Sequence, residues 1–588
     1  MLFVLFGLMT AVSWQMWANP VIDSGREMNV PLRILRGETI YSQVYYLYGP
    51  VAPLFNALLY KVFGVHLNTL YAAGLAGSLL LVFLIFRIAR WFMGTYDSLL
   101  AAGMVLLLCV FKQDGNTILP YSYAALYGTL LGTLSLALQV AYSRSGRTVQ
   151  LLAAGALAGL AFYCKMEFGF AAIASMLTLA VTAHPHRRRT IWIAAASILI
   201  LPLLIHGLFL ARIPAESFLK DTYVLPGNLP AELAFYNKSK ILGWNDPGRT
   251  IRELISACAL LCGVAGLISL VSIRLASRSI PSTQLKPAER RLLWITGVSF
   301  GLLAVHVICY GTCWDMNPFR ALPLFFMALI YYFLKKRKSS DEAGFESRAL
   351  LLVSVYSLAV LARVIIRVPA GGAYGSMLLP VPFLLFIYMA THHFPVFSMP
   401  SLVEQYRLRA VRLLFSSGLL VTLAVLVFRY THDPLAWLQT PRGSLRVSPP
   451  VALAMNQSLE FLAGNSKPGD YVLALPEGSS LNFLADRPSP LRHEIVTPGF
   501  LSAEGERQAI RALAEKKVEF VFLFNRPTSE FGPRVFGRNY CQSLMGWIEK
   551  NYTLTAVFGR KTSPGIQIGD REFFIKCYRR SYTPDREF

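Results

Sequence analysis

Apolar residues in this chain come in long uninterrupted runs rather than at the half-filled spacing of a soluble helix. The runs fall near 2–18, 66–86, 98–111, 119–142, 150–163, 168–183, 191–211, 252–273, 292–311, 319–334, 349–367, 373–390 and 411–429. A helix needs roughly 20 apolar residues to cross a hydrocarbon core of about 30 Å. The pattern therefore predicts about thirteen transmembrane helices, with 98–111, 150–163 and 319–334 short for a full crossing. Beyond 430 the pattern changes. Asp470 to Pro476 and Val518 to Phe524 read as buried strands, Glu504 to Lys517 and Met545 to Asn551 as helices, and Tyr552 to Phe558 and Glu572 to Tyr578 as closing strands. The expected architecture is a polytopic α-helical membrane domain over 1–430 followed by a soluble α/β domain over 431–588.

Composition agrees with that division. Of 588 residues 54% are hydrophobic and 15% charged, against about 25% charged in soluble domains, so neither a single soluble globule nor a disordered chain fits. The net charge of +23 comes from 56 Lys+Arg against 33 Asp+Glu. Spread between apolar runs, this excess reports topology rather than nucleic acid binding. The loops 87–97, 143–149, 184–190, 274–291, 335–348 and 391–410 hold Arg187-Arg188-Arg189, Arg290-Arg291 and Lys335-Lys336-Arg337-Lys338. By the positive-inside rule these loops are cytoplasmic. The amino terminus is then inside, and the domain 431–588 lies outside the cytoplasmic (inner) membrane. The first run has no basic flank and no evident cleavage site, and is expected to be a retained helix.

The loop 19–65 is too long and too polar for a connector. Leu32 to Arg36, a turn at Gly37, and Pro50 to Phe63 suggest two interfacial helices that shape a groove at the bilayer boundary. Asp23, Arg26 and Glu27 are spaced to share one helix face. A carboxylate there can take a proton from an acceptor hydroxyl, and a second can assist it or hold a divalent ion. Solvated charges at a helix start explain the same spacing. Lys165 and Glu167 sit between two apolar runs, where Lys suits a phosphate or pairs with its neighbour. Asp114, with Gly115 and Asn116, reads as a tight turn ahead of the fourth span, and Tyr121 beyond it as a hydrogen-bond donor to a sugar. Arg320 reads as an interfacial anchor, with Arg363 and Arg367 as further basic candidates. Of the 8 Cys none has zinc spacing; Cys541 and Cys577 share the exported domain, where a disulfide is permitted. No nucleotide-binding loop occurs.

The order Asp23-Ser24-Gly25-Arg26-Glu27, Leu35-Arg36-Gly37-Glu38 and Ile40-Tyr41 resembles the first outer loop of the GT-C membrane glycosyltransferases, in the group of protein mannosyltransferases and lipid A aminoarabinose transferases. Tyr48-Gly49-Pro50 with Pro53-Leu54 is similar to that group's Pro-Pro-Leu stretch. The resemblance implies an inverting transferase with a polyprenyl-phosphate sugar as donor, an acceptor that is glycan, lipid or protein, and Asp23 acting at the acceptor. It also implies Lys165 and Arg320 at the lipid phosphate, Arg26, Glu167, Tyr121 and Asp114 at the substrates, and a divalent metal ion as a possible cofactor. There are two departures: Ser24 stands where a second acid is usual, and Tyr48-Gly49 where a Lys often precedes the prolines. The rival reading is a lipid or polysaccharide transporter or flippase, which predicts midplane charges and repeated halves; here the acids cluster in loops and no halves repeat.

Overall fold

In hydrocarbon a chain must satisfy its backbone polar groups internally, so apolar runs fold as helices. The computed structural model describes residues 1–113, 115–182, 187–219, 221, 229–277, 294–299, 301–302, 305, 317–339, 344–392, 401–559 and 573–581. Asp114 and most of the run 292–311 lie outside the described residues. The other runs are helical: Leu2–Val12, Leu67–Ala89, Thr95–Val105, Tyr123–Ser145, Thr148–Cys164, Met166–Thr182, Arg187–Leu210, Pro247–Ser277, Leu322–Ser339, Phe345–Val360, Pro380–Thr391 and Ser401–His432. Among the described residues six helices are long and apolar enough to cross a bilayer, or seven if Gly372–Leu378 and Pro380–Thr391, bent by 68°, form one span. The protein is a multi-pass membrane protein. Length alone does not reach the thirteen crossings expected. Leu2–Val12, Thr95–Val110, Thr148–Cys164 and Met166–Thr182 are apolar but shorter, and a short span needs local thinning of the bilayer.

The loop after the first helix holds two helices, as the sequence predicts, but they differ in setting. Val51–Phe63 is amphipathic: Ala52, Pro53, Asn56, Ala57 and Tyr60 are buried, while Leu54, Phe55, Leu58, Val62 and Phe63 are exposed. That suits a helix lying at the interface. Ser24–Leu35 does not lie on the surface; nine of its twelve residues are buried. The C-terminal region covers it. Asn29 donates to Glu494 at 2.8 Å, Arg33 pairs with Glu494 at 2.7 Å and Glu38 at 2.6 Å, and Arg36 pairs with Asp486.

The C-terminal region is an α/β unit. After a hairpin of β1 (Ala436–Thr440) and β2 (Gly443–Val447) comes a four-stranded sheet of β3 (Val472–Leu475), β4 (Phe520–Phe524), β5 (Tyr552–Gly559) and β6 (Phe574–Arg580). The order is β3-β4-β6-β5, with β3 and β4 parallel and the other pairs antiparallel. The alternation of side chains along a strand gives the sheet two packed faces. Phe522, Ile575 and Cys577 face a core that runs without interruption through Phe483 and Tyr60 into the membrane helices. Val521, Cys541 and Tyr578 face a separate core built with Ala503–Glu515 and Gln542–Asn551. Cys541 and Cys577 are therefore on opposite faces of the sheet, and both are free thiols. The hairpin rests on the ends of two membrane-region helices: Leu67 N–H donates to the Arg442 carbonyl and Arg446 N–H to the Gln15 carbonyl, each at 2.8 Å. This places the α/β unit at the same end of the bundle as the loop 13–66.

Candidate active site

The turn at the start of Ser24–Leu35 carries the first acid. Asp23 adopts φ 60° and ψ −47°, a region in which a residue with a Cβ is strained. Its backbone N–H donates to Glu477 Oε1 at 2.9 Å. Its carboxylate lies 3.6 Å from Arg26, and 33% of its side chain is accessible. Burial pushes the Asp23 carboxyl above its ordinary range, against the pull of Arg26, Arg526 and Lys165. That is the direction a proton acceptor needs.

Arg26 is the hub. Its Nε donates to Glu27 Oε1 at 2.9 Å and its Nη2 to the Tyr121 carbonyl at 2.6 Å. Its guanidinium lies 5.4 Å from the Tyr48 ring centre. The other Glu27 oxygen accepts the Tyr123 N–H at 2.7 Å. That N–H is among the unpaired donors in the first turn of Tyr123–Ser145, so Glu27 caps this helix while it holds Arg26. Burial raises the Glu27 carboxyl too.

Lys165 is the single residue between Thr148–Cys164 and Met166–Thr182. Two short helices packed closely force it to the corner. It is 3% exposed and pairs with Glu167 at 3.1 Å, so it does not snorkel to solvent. It donates to the Tyr121 hydroxyl, and its ammonium lies 5.0, 4.8 and 5.4 Å from the ring centres of Tyr48, Tyr121 and Tyr374. Such an aromatic box stabilises a cation without neutralising it. Arg363 approaches the same Tyr374 ring at 5.4 Å and donates to Asn237 at 2.6 Å.

Two glycines let these pieces meet. A Cβ on Gly49 would overlap the Tyr163 backbone, so only glycine lets the corner after Tyr48 press against the end of Thr148–Cys164 and set that ring beside Lys165. Gly115, at φ 69°, lies on the backbone of Gly372 and Ala373, which brings Tyr374 in. Lys112 donates to the Gly372 carbonyl at 2.7 Å.

Six of the residues singled out in the sequence thus converge: Asp23, Arg26, Glu27, Tyr121, Lys165 and Glu167. Arg320 is paired with Glu253 of Pro247–Ser277. Tyr48, Tyr374, Arg363, Glu477 and Arg526 complete the setting. The last two follow the ends of two strands, in Leu475-Pro476-Glu477 and Phe524-Asn525-Arg526, and a charged residue two positions past a strand was their only mark in the sequence. The residues do not fit a divalent ion held between Asp23 and Glu27. Both Glu27 oxygens are taken, the Arg26 guanidinium already provides the cation between the carboxylates, and among the described residues no three His, Cys, Asp or Glu side chains are grouped to hold a metal.

Residues 48–207 match the family model described as dolichyl-phosphate-mannose-protein mannosyltransferase. Among solved structures, ArnT from Cupriavidus metallidurans bound to undecaprenyl phosphate aligns over 98% of this chain and 97% of its own, with 12% identity and a TM-score of 0.49. The oligosaccharyltransferase of Archaeoglobus fulgidus in complex with Zn and sulfate aligns over 89% of this chain and 68% of its own, with 14% identity and a TM-score of 0.42. A comparison with curated proteins finds no match. The chain resembles the GT-C membrane glycosyltransferases of the protein mannosyltransferase group.

Proposed function

We propose that this protein moves a sugar from a polyprenyl-phosphate-linked donor to an acceptor hydroxyl on the extracytoplasmic side of the cytoplasmic membrane. The membrane region 1–430 binds the lipid donor, and the domain 431–588, outside the membrane, walls the acceptor side. The observation that carries this reading is the meeting of a proton-accepting carboxylate, Asp23, with a boxed ammonium, Lys165, through Arg26, Tyr48 and Tyr121.

In this reading the acceptor oxygen gives its proton to Asp23 and attacks the anomeric carbon. The bond from that carbon to the phosphate oxygen breaks, and its electron pair leaves with the polyprenyl phosphate. A single displacement of this kind inverts the anomeric centre. The leaving phosphate gains charge as the bond breaks, and a fixed cation beside it lowers the barrier. Lys165 suits that task as a point charge, with Arg363 reaching the same ring. Lys165 also accounts for the missing Lys before the prolines, since its ammonium sits over the Tyr48 that occupies that place. Arg26 sets the distance between the acid and the donor, and Glu27 holds Arg26. Arg320 acts through Glu253 on the position of the long Pro247–Ser277 helix.

The test uses the full-length protein in lipid nanodiscs and a panel of undecaprenyl-phosphate-linked hexoses and pentoses. The wild type is expected to release undecaprenyl phosphate from at least one donor in the presence of a hydroxyl acceptor, and Asp23→Asn to slow release by about 10²–10⁴-fold while still binding undecaprenyl phosphate. Passage of the donor across vesicles without cleavage would establish the transporter reading instead.

A further inference from the structure

The C-terminal sheet delivers a charged pair to the candidate site. β3 and β4 are adjacent and parallel, with Leu475 opposite Leu523, so the chain leaves both strands at the same edge. Open α/β sheets present their ligand-facing groups at the carboxyl ends of such strands. Glu477 follows β3 by two residues and Arg526 follows β4 by two. Their side chains are 6% and 7% exposed and pair at 3.1 Å, and Arg526 also pairs with Glu530 at 2.6 Å. Arg526 occupies one oxygen of Glu477, and the other accepts the Asp23 N–H.

The same segment moulds the turn that carries Asp23. A Cβ on Gly25 would overlap the backbone of Ser479 and Ser480, and the Ser480 hydroxyl donates to the Pro20 carbonyl. A strained conformation such as that of Asp23 costs of order 1–3 kcal/mol and persists only where its surroundings over-determine it. Here the surroundings are residues 477–480.

We propose that Glu477, oriented by Arg526, is a positioning residue for Asp23, so that the site is incomplete without the C-terminal unit. The inference rests on the reading of Asp23 as the group that takes the acceptor proton. Its hydrogen bond fixes the backbone from which the Asp23 carboxylate is aimed. Burial, opposed by Arg526, pushes Glu477 itself up to about 7. The charged and titratable groups facing this pair are Arg26, Glu27, Lys165, Tyr48 and Tyr236 from the membrane region, and Arg526, Glu530 and Tyr540 from the C-terminal unit. No proton passes to Glu477 in the transfer.

The experiment compares full-length wild type, Glu477→Gln, Glu477→Ala and Glu477→Asp in nanodiscs. It uses whichever undecaprenyl-phosphate sugar the wild type cleaves and measures kcat and KM from pH 5.5 to 9. Gln keeps the hydrogen-bond acceptor and is expected to keep kcat and KM for the donor near their wild-type values. Ala removes the acceptor, and kcat is expected to fall about 100-fold at constant KM, the order expected when a reacting group is misplaced by about 1 Å. Asp withdraws the acceptor by one methylene and is expected to lower kcat at constant KM. Thermal midpoints and undecaprenyl phosphate binding show that each variant is folded. An active wild type and a folded Ala variant with the same kcat overturn the proposal and leave the role of Asp23 standing. Should Gln and Ala fail to fold, an Asp variant with unchanged kcat overturns it, and a kcat loss at constant KM supports it. A wild type that cleaves no donor overturns the underlying reading, and this inference with it.

Discussion

Asp23 and Glu477 stand 454 residues apart in the chain, and one hydrogen bond of 2.9 Å from the backbone of the first to the side chain of the second joins the membrane region to the C-terminal sheet. The bond lies where the first acid of the candidate site is aimed. The C-terminal unit is thus part of the candidate site, with residues 477–480 packed on the turn that carries Asp23.

Replacing Asp23 by Asn keeps its size and removes its capacity to take a proton. Loss of a general base lowers turnover by about 10²–10⁴-fold. The expected result is a kcat reduced by that order with undecaprenyl phosphate affinity retained, measured as release of undecaprenyl phosphate alongside direct binding.

Lys165→Met removes the ammonium from the ring box of Tyr48, Tyr121 and Tyr374. A hydrogen bond to a charged group contributes about 1.5–3 kcal/mol, so undecaprenyl phosphate affinity is expected to weaken by roughly 10–100-fold. Arg320→Met, measured in the same titration, is expected to change it far less. Equal affinity for wild type and Lys165→Met would remove Lys165 from the phosphate.

Gly49→Ala pushes a methyl into the Tyr163 backbone. Overpacking of this kind costs about 1–3 kcal/mol. Because the displaced segment carries Tyr48, donor affinity is expected to fall together with the thermal midpoint. Gly64→Ala is the contrast: Gly64 at φ 89° has open space around it, so strain there should lower stability and leave donor affinity unchanged.

Arg33 and Glu494 are 4% and 1% exposed and pair at 2.7 Å between the Ser24–Leu35 helix and the C-terminal unit. Removing one partner of a buried pair costs about 3–5 kcal/mol because the other charge is left uncompensated. Arg33→Met is therefore expected to lower the thermal midpoint and to open the C-terminal unit to protease. Adding Glu494→Gln is expected to recover part of the loss, since the stranded carboxylate is then gone.

The pH dependence of stability follows from Glu477. Its carboxyl is raised from 4.5 to about 7 in the folded protein, so the folded state binds the proton more tightly than the unfolded chain. Its contribution is fully present below pH 4.5 and is lost as pH rises through about 7, at a rate of at most about 1.4 kcal/mol per pH unit. Unfolding of Glu477→Gln between pH 5 and pH 8 is expected to show a weaker decline than the wild type. A decline as steep as that of the wild type would mean that Glu477 is not raised.

The order of apolar and polar residues was enough to place most of the elements. Apolar runs have one low-energy state in a bilayer, so helices such as Leu67–Ala89 and Ser401–His432 could be placed from composition. The alternation around Val518 to Phe524 marked β4 in the same way. The hairpin of β1 and β2 and the helices Pro449–Asn465 and Ser479–Ala485 went unread, although Pro441-Arg442-Gly443 marks the hairpin turn and Pro449-Pro450 the start of the first helix. Asp23, Arg26, Glu27, Tyr121, Lys165 and Glu167 were legible because charged and polar groups between apolar runs are costly to keep there without a use.

How these residues are used depends on the way distant parts of the chain pack together. Glu27 became a helix cap and Arg26 a hub because Tyr123–Ser145 begins beside them, and Arg320 was claimed by Glu253. Glu477 and Arg526 joined the group because two parallel strands end at one edge and that edge abuts Asp23. Such contacts depend on pairings across hundreds of residues. Local propensity carries no information about them, whereas packing and the pairing of buried charge fix them.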